Sequence, residues 1–315
     1  MFRKTLLILA AFIFSFAAAE FLVGNILGFP KYGVERKMQG MRNSPGHQNI
    51  YKPHSQYWNS NKTFEIYMRN NLGLPGIDVD TSNVSKYIFV LGSSFIENQY
   101  LKPELISTSV FQRLLKKSDN CFNVLNLGYS GFDPYDSFRR AHYFEETYRP
   151  GLVILVINSY NAGLFKLSPE SFHLDKNSFA EDNSFATNFN LFLRNNSSFI
   201  RLISILFQNK EEQTVGPEKE NSQNLNADLT NLEICLKSFS EKYEGRFMCV
   251  SITSNDSMNR KIEEFCNKNN VNFEYSGLMV PENQFDGDWH LNEKGNNALG
   301  VFLFNSFRKH FMTNK

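Results

Sequence analysis

Residues 87–98 read YIFVLGSSFIEN, and this stretch decides the fold. It begins as an apolar, β-branched run and stops at Gly92, which two serines follow. An apolar run without polar alternation is typical of a strand buried on both faces, as the strands of a parallel sheet are. Gly-Ser-Ser is also a good turn, because glycine accepts any backbone angle and serine competes for backbone hydrogen bonds. The stretch therefore predicts either an ordinary turn or a nucleophilic serine at the end of a strand.

Four further apolar runs follow, and helical patterns lie between them. The five strand-like runs are YIFVLGS (87–93), FNVLNLG (122–128), LVILVIN (152–158), RFMCVSIT (246–253) and VNFEYS (271–276). Strands that alternate with helices imply right-handed crossovers and a parallel sheet covered on both faces. We predict an α/β fold, a three-layer αβα sandwich with a five-stranded parallel sheet in flavodoxin-like order.

The N-terminus carries a targeting signal. Arg3 and Lys4 precede a stretch that is apolar from residue 5 to residue 29, apart from Glu20 and Asn25. A stretch of this length can span the roughly 30 Å of hydrocarbon in a bilayer. The cationic flank then places the rest of the chain outside the cytoplasm. We predict a single-pass signal anchor over residues 1–30; the alternative is secretion after cleavage of a signal peptide at Ala17-Ala-Ala19.

The remaining chain divides into two parts. Residues 31–86 are polar and rich in turn residues, which predicts an irregular arm. Residues 87–315 form the α/β domain, and an insertion at about 163–225 breaks its alternation of strands and helices. The insertion is rich in polar residues and encloses one apolar helix-like piece, SFIRLISILF (198–207).

Composition limits the classes of function. The 315 residues are 42% apolar and 21% charged, with a net charge of +1, so there is no electrostatic reason to propose a nucleic acid as partner. The four cysteines contain no C-x-x-C pair, so a disulfide is an open alternative to buried free thiols, which we favour for Cys249. Two aspartates beside a single histidine near the C-terminus are too few ligands for a metal site. We predict neither a metal nor a cofactor.

Polar residues gather where the strands end, which is where parallel sheets bind ligands. The first strand ends at Gly92-Ser93-Ser94, the second at Asn126-Leu127-Gly128, and the third is followed by Asn158 and Asn161. Near the C-terminus, residues 285–296 read FDGDWHLNEKGN, with Asp286, Asp288 and His290 before a helix whose N-cap we predict at Asn292.

These blocks, in this order, resemble those of the SGNH or GDSL hydrolases. The resemblance covers most of residues 65–315 and includes the lead-in RNNLGLPG (69–76), which is similar to a segment before the first block in many membrane-anchored members. It implies that Ser94 is the nucleophile and His290 the general base. It also implies an oxyanion hole made of the N–H groups of Ser94 and Gly128 and the side-chain amide of Asn161.

The third member of the triad is ambiguous. The family commonly places the acid three residues before the histidine, where this chain has Gly287. A related branch that acts on acetyl groups of exopolysaccharides has Asp-x-His, so we favour Asp288 and keep Asp286 as the alternative. Ser93 and Ala162 also replace two aspartates that usually brace the site. Neither change removes a proposed catalytic atom.

The predicted chemistry follows from these residues. An imidazole that takes the proton of a serine hydroxyl makes it a nucleophile, and fixed donors stabilise the oxyanion. We predict a serine esterase that hydrolyses or transfers a small acyl group, such as acetyl, on a cell-envelope glycan or lipid through a Ser94 acyl-enzyme. Its partners would be this acylated substrate and, through the N-terminal helix, the membrane. The alternative is a catalytically degenerate relative that binds glycan or assists envelope assembly.

Overall fold

The N-terminal segment is a long apolar helix. In this computed structural model, which describes residues 2–38, 48–58, 65–82, 86–118, 122–158, 184–212 and 229–312, helix α1 spans Phe2–Phe21 and continues as a π-helical turn over Leu22–Ile26. Residues 3–26 have a mean hydropathy of 2.5 and are almost entirely exposed. By length and composition this helix could cross a membrane, and a signal sequence would meet the same criterion.

The arm that follows contains short antiparallel pairs. Strand β1 (Val34–Met38) pairs with β2 (Gln48–Tyr51), and β3 (Gln56–Trp58) pairs with β4 (Ile66–Met68). The prediction of an irregular arm missed these pairs, because strands of three to five residues are too short to show a sustained period.

A five-stranded parallel sheet forms the centre of the domain. Its strands are β5 (Lys86–Leu91), β6 (Phe122–Asn126), β7 (Pro150–Ile157), β8 (Phe247–Ser251) and β9 (Asn272–Tyr275). They lie in the order β6-β5-β7-β8-β9, and each pair of neighbours is parallel. This is the predicted flavodoxin-like order, so the prediction of the fold is confirmed.

Helices cover both faces of the sheet. The helices of the domain are α2 (Ser94–Glu97), α3 (Ser107–Lys117), α4 (Pro134–Glu145), α5 (Phe185–Asn196), α6 (Ser198–Glu212), α7 (Thr230–Lys242), α8 (Asp256–Lys268) and α9 (Glu293–Phe307). Helices α4, α7 and α8 pack on one face, and α3 and α9 pack on the other. Alternate residues of β5 serve the two cores, with Phe89 on the first face and Ile88 on the second. This double burial explains the unbroken apolar runs of the sequence.

The part of the insertion that the structure describes is helical and contacts the N-terminal region. Its two helices are α5 and α6, whereas the sequence predicted only the second. The carboxylate of Glu20 accepts hydrogen bonds from Ser197 Oγ (2.6 Å) and from the N–H groups of Ser198 (2.9 Å) and Phe199 (3.0 Å). Because a helix leaves its first N–H groups unpaired, this contact caps α6 and fastens it to α1.

The thiols of Cys235, Cys249 and Cys266 are buried and free. Cys249 therefore has the state that the sequence favoured. Cys121 lies outside the described residues.

Candidate active site

The nucleophile candidate stands at the first residue of α2. The chain turns from β5 into this helix at Gly92, where a Cβ would lie 2.7 Å from Ile96 Cγ1 and 3.1 Å from the Val156 carbonyl oxygen, so only glycine fits. Ser93 is buried, whereas Ser94 is partly exposed at the carboxyl edge of the sheet. The N–H of Ser94 belongs to the first turn of α2, where N–H groups have no intrahelical acceptor.

The acid and the base come from one antiparallel hairpin. Strand β10 (Gln284–Phe285) pairs with β11 (Asp288–Leu291), and Gly287 takes a φ of +69° in the turn between them. Side chains two residues apart in a strand point to the same side, so the spacing Asp-x-His places both groups on one face of β11. Asn292 N-caps α9 as predicted: its side chain accepts from the N–H of Gly295 (3.0 Å) and donates to the carbonyl oxygen of Gln284 (2.7 Å).

The three predicted side chains meet. His290 Nε2 lies 2.8 Å from Ser94 Oγ, and His290 Nδ1 lies 2.6 Å from Asp288 Oδ1. Because an ionised carboxylate only accepts, Nδ1 carries the proton and donates to Asp288, which leaves Nε2 to accept from the Ser94 hydroxyl. Asp288 Oδ1 also accepts from the backbone N–H of His290 (3.0 Å). The carboxylate hydrogen-bonded to the ring is that of Asp288, the acid that the sequence favoured over Asp286.

Aromatic rings enclose the imidazole. The ring centroids of Tyr100, Trp289 and Phe95 lie 4.7, 4.9 and 5.3 Å from that of His290, which is 8% exposed. Such an apolar wall lowers the local dielectric and strengthens the hydrogen bonds of the triad. It also fixes the ring plane, so that Nε2 stays directed at Ser94.

The loop after β6 packs tightly on α2. A Cβ at Gly128 would lie 2.5 Å from the backbone nitrogen of Glu97, so this position also requires glycine. The N–H of Gly128 donates to Asn126 Oδ1 at 3.0 Å, and Asn126 Nδ2 donates to the carbonyl oxygen of Ile96 at 2.7 Å. The N–H that the sequence assigned to the oxyanion hole is therefore engaged within its own loop, and its role stays a prediction. Gly131, which the sequence did not single out, has a φ of +80°, and its N–H donates to no group within the described ranges.

The third predicted oxyanion donor, Asn161, lies outside the described residues, as does Ala162. The neighbouring asparagine at the end of β7 is described. Asn158 is buried, and its Nδ2 donates to Ser93 Oγ at 3.1 Å. This bond ties the end of β7 to the start of α2, next to Ser94.

The structure adds a buried carboxylate that sequence reasoning missed. Glu97 is 1% exposed and accepts from the N–H and the hydroxyl of Ser130, both at 2.7 Å, and from the side-chain amide of Gln99. It also forms a buried ion pair with Arg69 of the arm, at 3.6 Å. Glu97 thus holds together the nucleophile helix, the Gly128 loop and the arm. A charged residue three positions after the nucleophile, on the same short helix, was the available signal.

Nothing in the described ranges forms a metal site: no group of three or more His, Cys, Asp or Glu side chains there is placed to hold an ion.

Comparisons with known proteins give fold-level matches. No family model and no curated protein matches the chain. Among solved structures, the chain is similar to the psychrotrophic esterase EstA from Pseudoalteromonas sp., with 12% identity, 73% of this chain and 100% of that chain covered, and a TM-score of 0.45. It is similar to a lipase/acylhydrolase from Enterococcus faecalis, with 11% identity, 71% and 96% covered, and a TM-score of 0.44.

A third similar structure is a member of the lipolytic protein G-D-S-L family from Veillonella parvula DSM 2008, with 12% identity, 72% and 99% covered, and a TM-score of 0.40. The family that the sequence motifs resemble is thus represented among the solved structures to which the chain is similar.

Proposed function

We propose that this protein is a serine esterase whose nucleophile is Ser94. The observation that carries the proposal is the unbroken hydrogen-bond chain from Ser94 Oγ through the His290 ring to Asp288, with separations of 2.8 and 2.6 Å. A hydroxyl bonded to an imidazole that is itself oriented by a carboxylate is the arrangement of an activated serine.

The proposed reaction runs in two steps. In the first, His290 Nε2 takes the proton of Ser94 while Oγ attacks the ester carbonyl, and the imidazolium then gives that proton to the departing alkoxide. In the second, Nε2 takes a proton from water or from an acceptor hydroxyl, whose oxygen attacks the acyl group on Ser94. The bond between Ser94 Oγ and the acyl carbon then breaks, and the imidazolium returns its proton to Oγ. Asp288 stabilises the imidazolium in both steps and keeps its Nδ1 proton directed away from the substrate.

The proposed reaction also needs fixed hydrogen-bond donors for the oxyanion. The N–H of Ser94 is placed at the start of α2, where it faces no intrahelical acceptor. A second donor would come from the loop of Gly128 and Gly131, and a third from Asn161. Each such donor contributes about 10²–10³ in kcat in serine hydrolases.

The proposed substrate class follows from the apolar helix that precedes the catalytic domain. Small acyl groups on cell-envelope glycans or lipids fit an esterase that follows an N-terminal apolar helix, with the catalytic domain outside the cytoplasm. Whether water or a sugar hydroxyl accepts the acyl group separates a hydrolase from a transferase, and the triad serves either acceptor.

The proposal is tested by covalent labelling and turnover together. We expect a fluorophosphonate probe to label the wild-type chain on Ser94, and the label to be lost in Ser94→Ala. It should be retained in Ser82→Ala, a variant of an exposed serine that contacts Asp80. Hydrolysis of p-nitrophenyl acetate should fall by about 10³-fold or more in Ser94→Ala.

Equal turnover in wild type and Ser94→Ala, with no labelled Ser94 peptide, would remove the esterase proposal. The replacement of two bracing aspartates by Ser93 and Ala162 would then favour the degenerate, glycan-binding alternative.

A further inference from the structure

A cavity lies where the residues after the N-terminal helix, the arm and the insertion meet. It encloses about 50 Å³. One water occupies roughly 10–15 Å³ of such cavity volume, so the cavity has room for several waters or for one tetrahedral oxyanion. Its wall is formed by residues that follow α1 (Phe29–Tyr32), by arm residues from β2 to β4, by Gln99 and by Arg201 of α6. We call it the arginine cavity.

The wall of the arginine cavity is cationic. Lys31, Arg69 and Arg201 line it, and none of the wall residues within the described ranges is acidic. Arg69 is 3% exposed, and its Nε has no hydrogen-bond partner. A buried donor without an acceptor is costly, and native structures leave such groups mainly where a ligand, ion or water completes them.

Arg69 pairs with Glu97, and Lys31 interacts electrostatically with Glu20, but no carboxylate pairs with Arg201 in the described part of the chain. The guanidinium groups of Arg194 and Arg201 lie 4.0 and 4.3 Å from the centroid of the Tyr32 ring, and neither forms an ion pair in the part of the chain that the structure describes. Burial lowers the pKa of Arg201 to about 10, which still leaves it protonated at neutral pH. Two like charges at one ring repel each other, and an anion that lies between or beside them offsets this repulsion.

The two nearby carboxylates are already engaged. Glu97 accepts from Ser130 and Gln99 while it pairs with Arg69. Glu20 accepts from the hydroxyl and N–H groups at the start of α6. Neither forms an ion pair with Arg201 within the described ranges, so the charge of Arg201 has no carboxylate partner at the cavity wall.

The cavity also offers neutral donors. Gln56 and Tyr57 line it beside the cations, and the side chain of each carries a hydrogen-bond donor. Guanidinium and amide N–H groups on a common wall match the oxygens of a phosphate, which accept several hydrogen bonds at once.

A short segment joins the arginine cavity to the triad. Gln99 lines the cavity, and the next residue, Tyr100, packs its ring 4.7 Å from His290. Glu97 and Ser94 belong to the same four-residue helix. A ligand held by the cavity would thus lie beside the segment that carries the nucleophile.

We propose that the arginine cavity binds a phosphate group carried by the substrate, so that the esterase acts on an acylated, phosphate-bearing molecule. This inference rests on the proposed function for its catalytic meaning, and its binding part is measured separately. The phosphate could belong to a lipid head group at the membrane surface or to a soluble phosphorylated sugar. Both present the same oxyanion to Lys31, Arg69 and Arg201.

The test is a titration of the full-length chain in non-ionic detergent at constant ionic strength. Inorganic phosphate is one probe and dihexanoyl phosphatidic acid is the other, with binding followed by calorimetry and by the thermal unfolding midpoint. We expect the midpoint to rise with probe concentration, because the ligand binds only the folded chain. Arg201→Gln and Lys31→Gln should each weaken binding by about tenfold or more, as expected for loss of a charge-assisted hydrogen bond. Arg260→Gln, which changes an exposed arginine of α8, should bind as wild type does.

The outcomes separate the sources and the proposals. Phosphatidic acid bound at least tenfold more tightly than inorganic phosphate assigns the site to a lipid head group, and equal affinities assign it to a soluble phosphate. Failure of both probes to bind, or equal affinities in wild type and both wall variants, overturns the inference. The same titration on Ser94→Ala should give wild-type affinity. A chain that binds phosphate but hydrolyses no ester would therefore refute the esterase and leave the anion site in place.

Discussion

The triad and the arginine cavity are joined by residues 94–100 but are built in contrasting ways. In the triad, the serine, imidazole and carboxylate are paired with one another in a chain of hydrogen bonds. In the arginine cavity, the guanidinium groups of Arg69 and Arg201 are packed on tyrosine rings, and Nε of Arg69 has no acceptor. The contrast teaches that a satisfied polar network is ready for chemistry, whereas an unsatisfied one is shaped for a ligand.

The strongest test breaks the triad at its base. We expect His290→Ala to lower kcat/KM for p-nitrophenyl acetate by about 10³-fold or more, because Ser94 then has no general base. His54→Ala, which changes an exposed histidine of the arm, is the matched control and should retain wild-type turnover. Wild-type turnover in His290→Ala as well as in His54→Ala would show that the hydrogen-bonded imidazole is not used.

A second test distinguishes the two candidate acids. Asp288→Asn should reduce kcat by about 10²–10⁴, because a neutral amide neither stabilises the imidazolium as a carboxylate does nor holds the ring in one tautomer. Asp286→Asn removes the alternative carboxylate, which lies in the turn between β10 and β11, and we expect a change of less than about threefold. The reverse ranking in initial-rate measurements would reassign the acid to Asp286.

A third test addresses the buried ion pair that links the two regions. Glu97→Gln leaves the Arg69 guanidinium buried without its counter-charge, and removal of one partner of such a pair costs about 3–5 kcal/mol. The thermal unfolding midpoint should fall by about 5–10 °C. Glu241→Gln breaks an exposed pair with Lys237 on α7 and should shift the midpoint by about 1–2 °C at most. If added phosphate restores part of the lost midpoint in Glu97→Gln, an anion bound in the arginine cavity replaces the negative charge of Glu97.

A fourth test measures how the stability of the fold depends on pH through the buried carboxyl group of Asp136. Burial, together with the adjacent carboxylate of Asp133, raises the pKa of Asp136 from 3.8 to about 7. Over this range the folded chain keeps a proton that the unfolded chain has lost, so the stabilisation is complete below pH 4 and disappears as pH rises through 7. Asp136→Asn should therefore be more stable than wild type at pH 8, by an amount of the order of 2 kcal/mol, and the gap should close at pH 4.

Denaturant unfolding at pH 4, 6 and 8 measures this dependence. Asp256→Asn, which changes an exposed aspartate in the first turn of α8, should show the pH dependence of wild type. A constant difference between Asp136→Asn and wild type at all three pH values would contradict the raised pKa.

The smallest effect concerns the contact between α1 and α6. Glu20→Gln weakens the cap on the first turn of α6, which we expect to cost about 1 kcal/mol. Amide hydrogen exchange at Ser198 and Phe199 should quicken by several-fold, while exchange in α9 is unchanged. Equal exchange at these two amides in both proteins would show that the Glu20 contact does not hold the helix.

The sequence predicted the triad region better than the arm, for physical reasons. Ser94, Asp288 and His290 stand at strand ends or within a short hairpin, and the rule that parallel strands present their carboxyl ends at one edge brings them together. Asn292 was predictable as an N-cap because capping depends on one side chain and its own helix.

The arginine cavity and Glu97 were not predictable in this way. The cavity is lined by residues that follow α1, by residues of the arm, by Gln99 after α2 and by residues of α6. Their packing depends on long-range contacts, which a local sequence pattern does not reveal. The short strands β1–β4 and the helix α5 also escaped, since their hydrophobic patterns are too brief or too polar. The Gly128 assignment shows a further limit, because motif position identifies the loop but not which N–H group is already bonded.

The hairpin that carries Asp288 and His290 has a consequence for how the chain tolerates change. Asp288 and His290 are two residues apart on one strand, so their mutual orientation is a local property, set by the pleat and by the bond from the His290 N–H to Asp288. Segments added or lost between α2 and β10 leave that orientation intact, provided that the hairpin returns to the sheet edge beside Ser94. The predicted insertion at about 163–225 therefore does not alter how Asp288 orients the His290 ring.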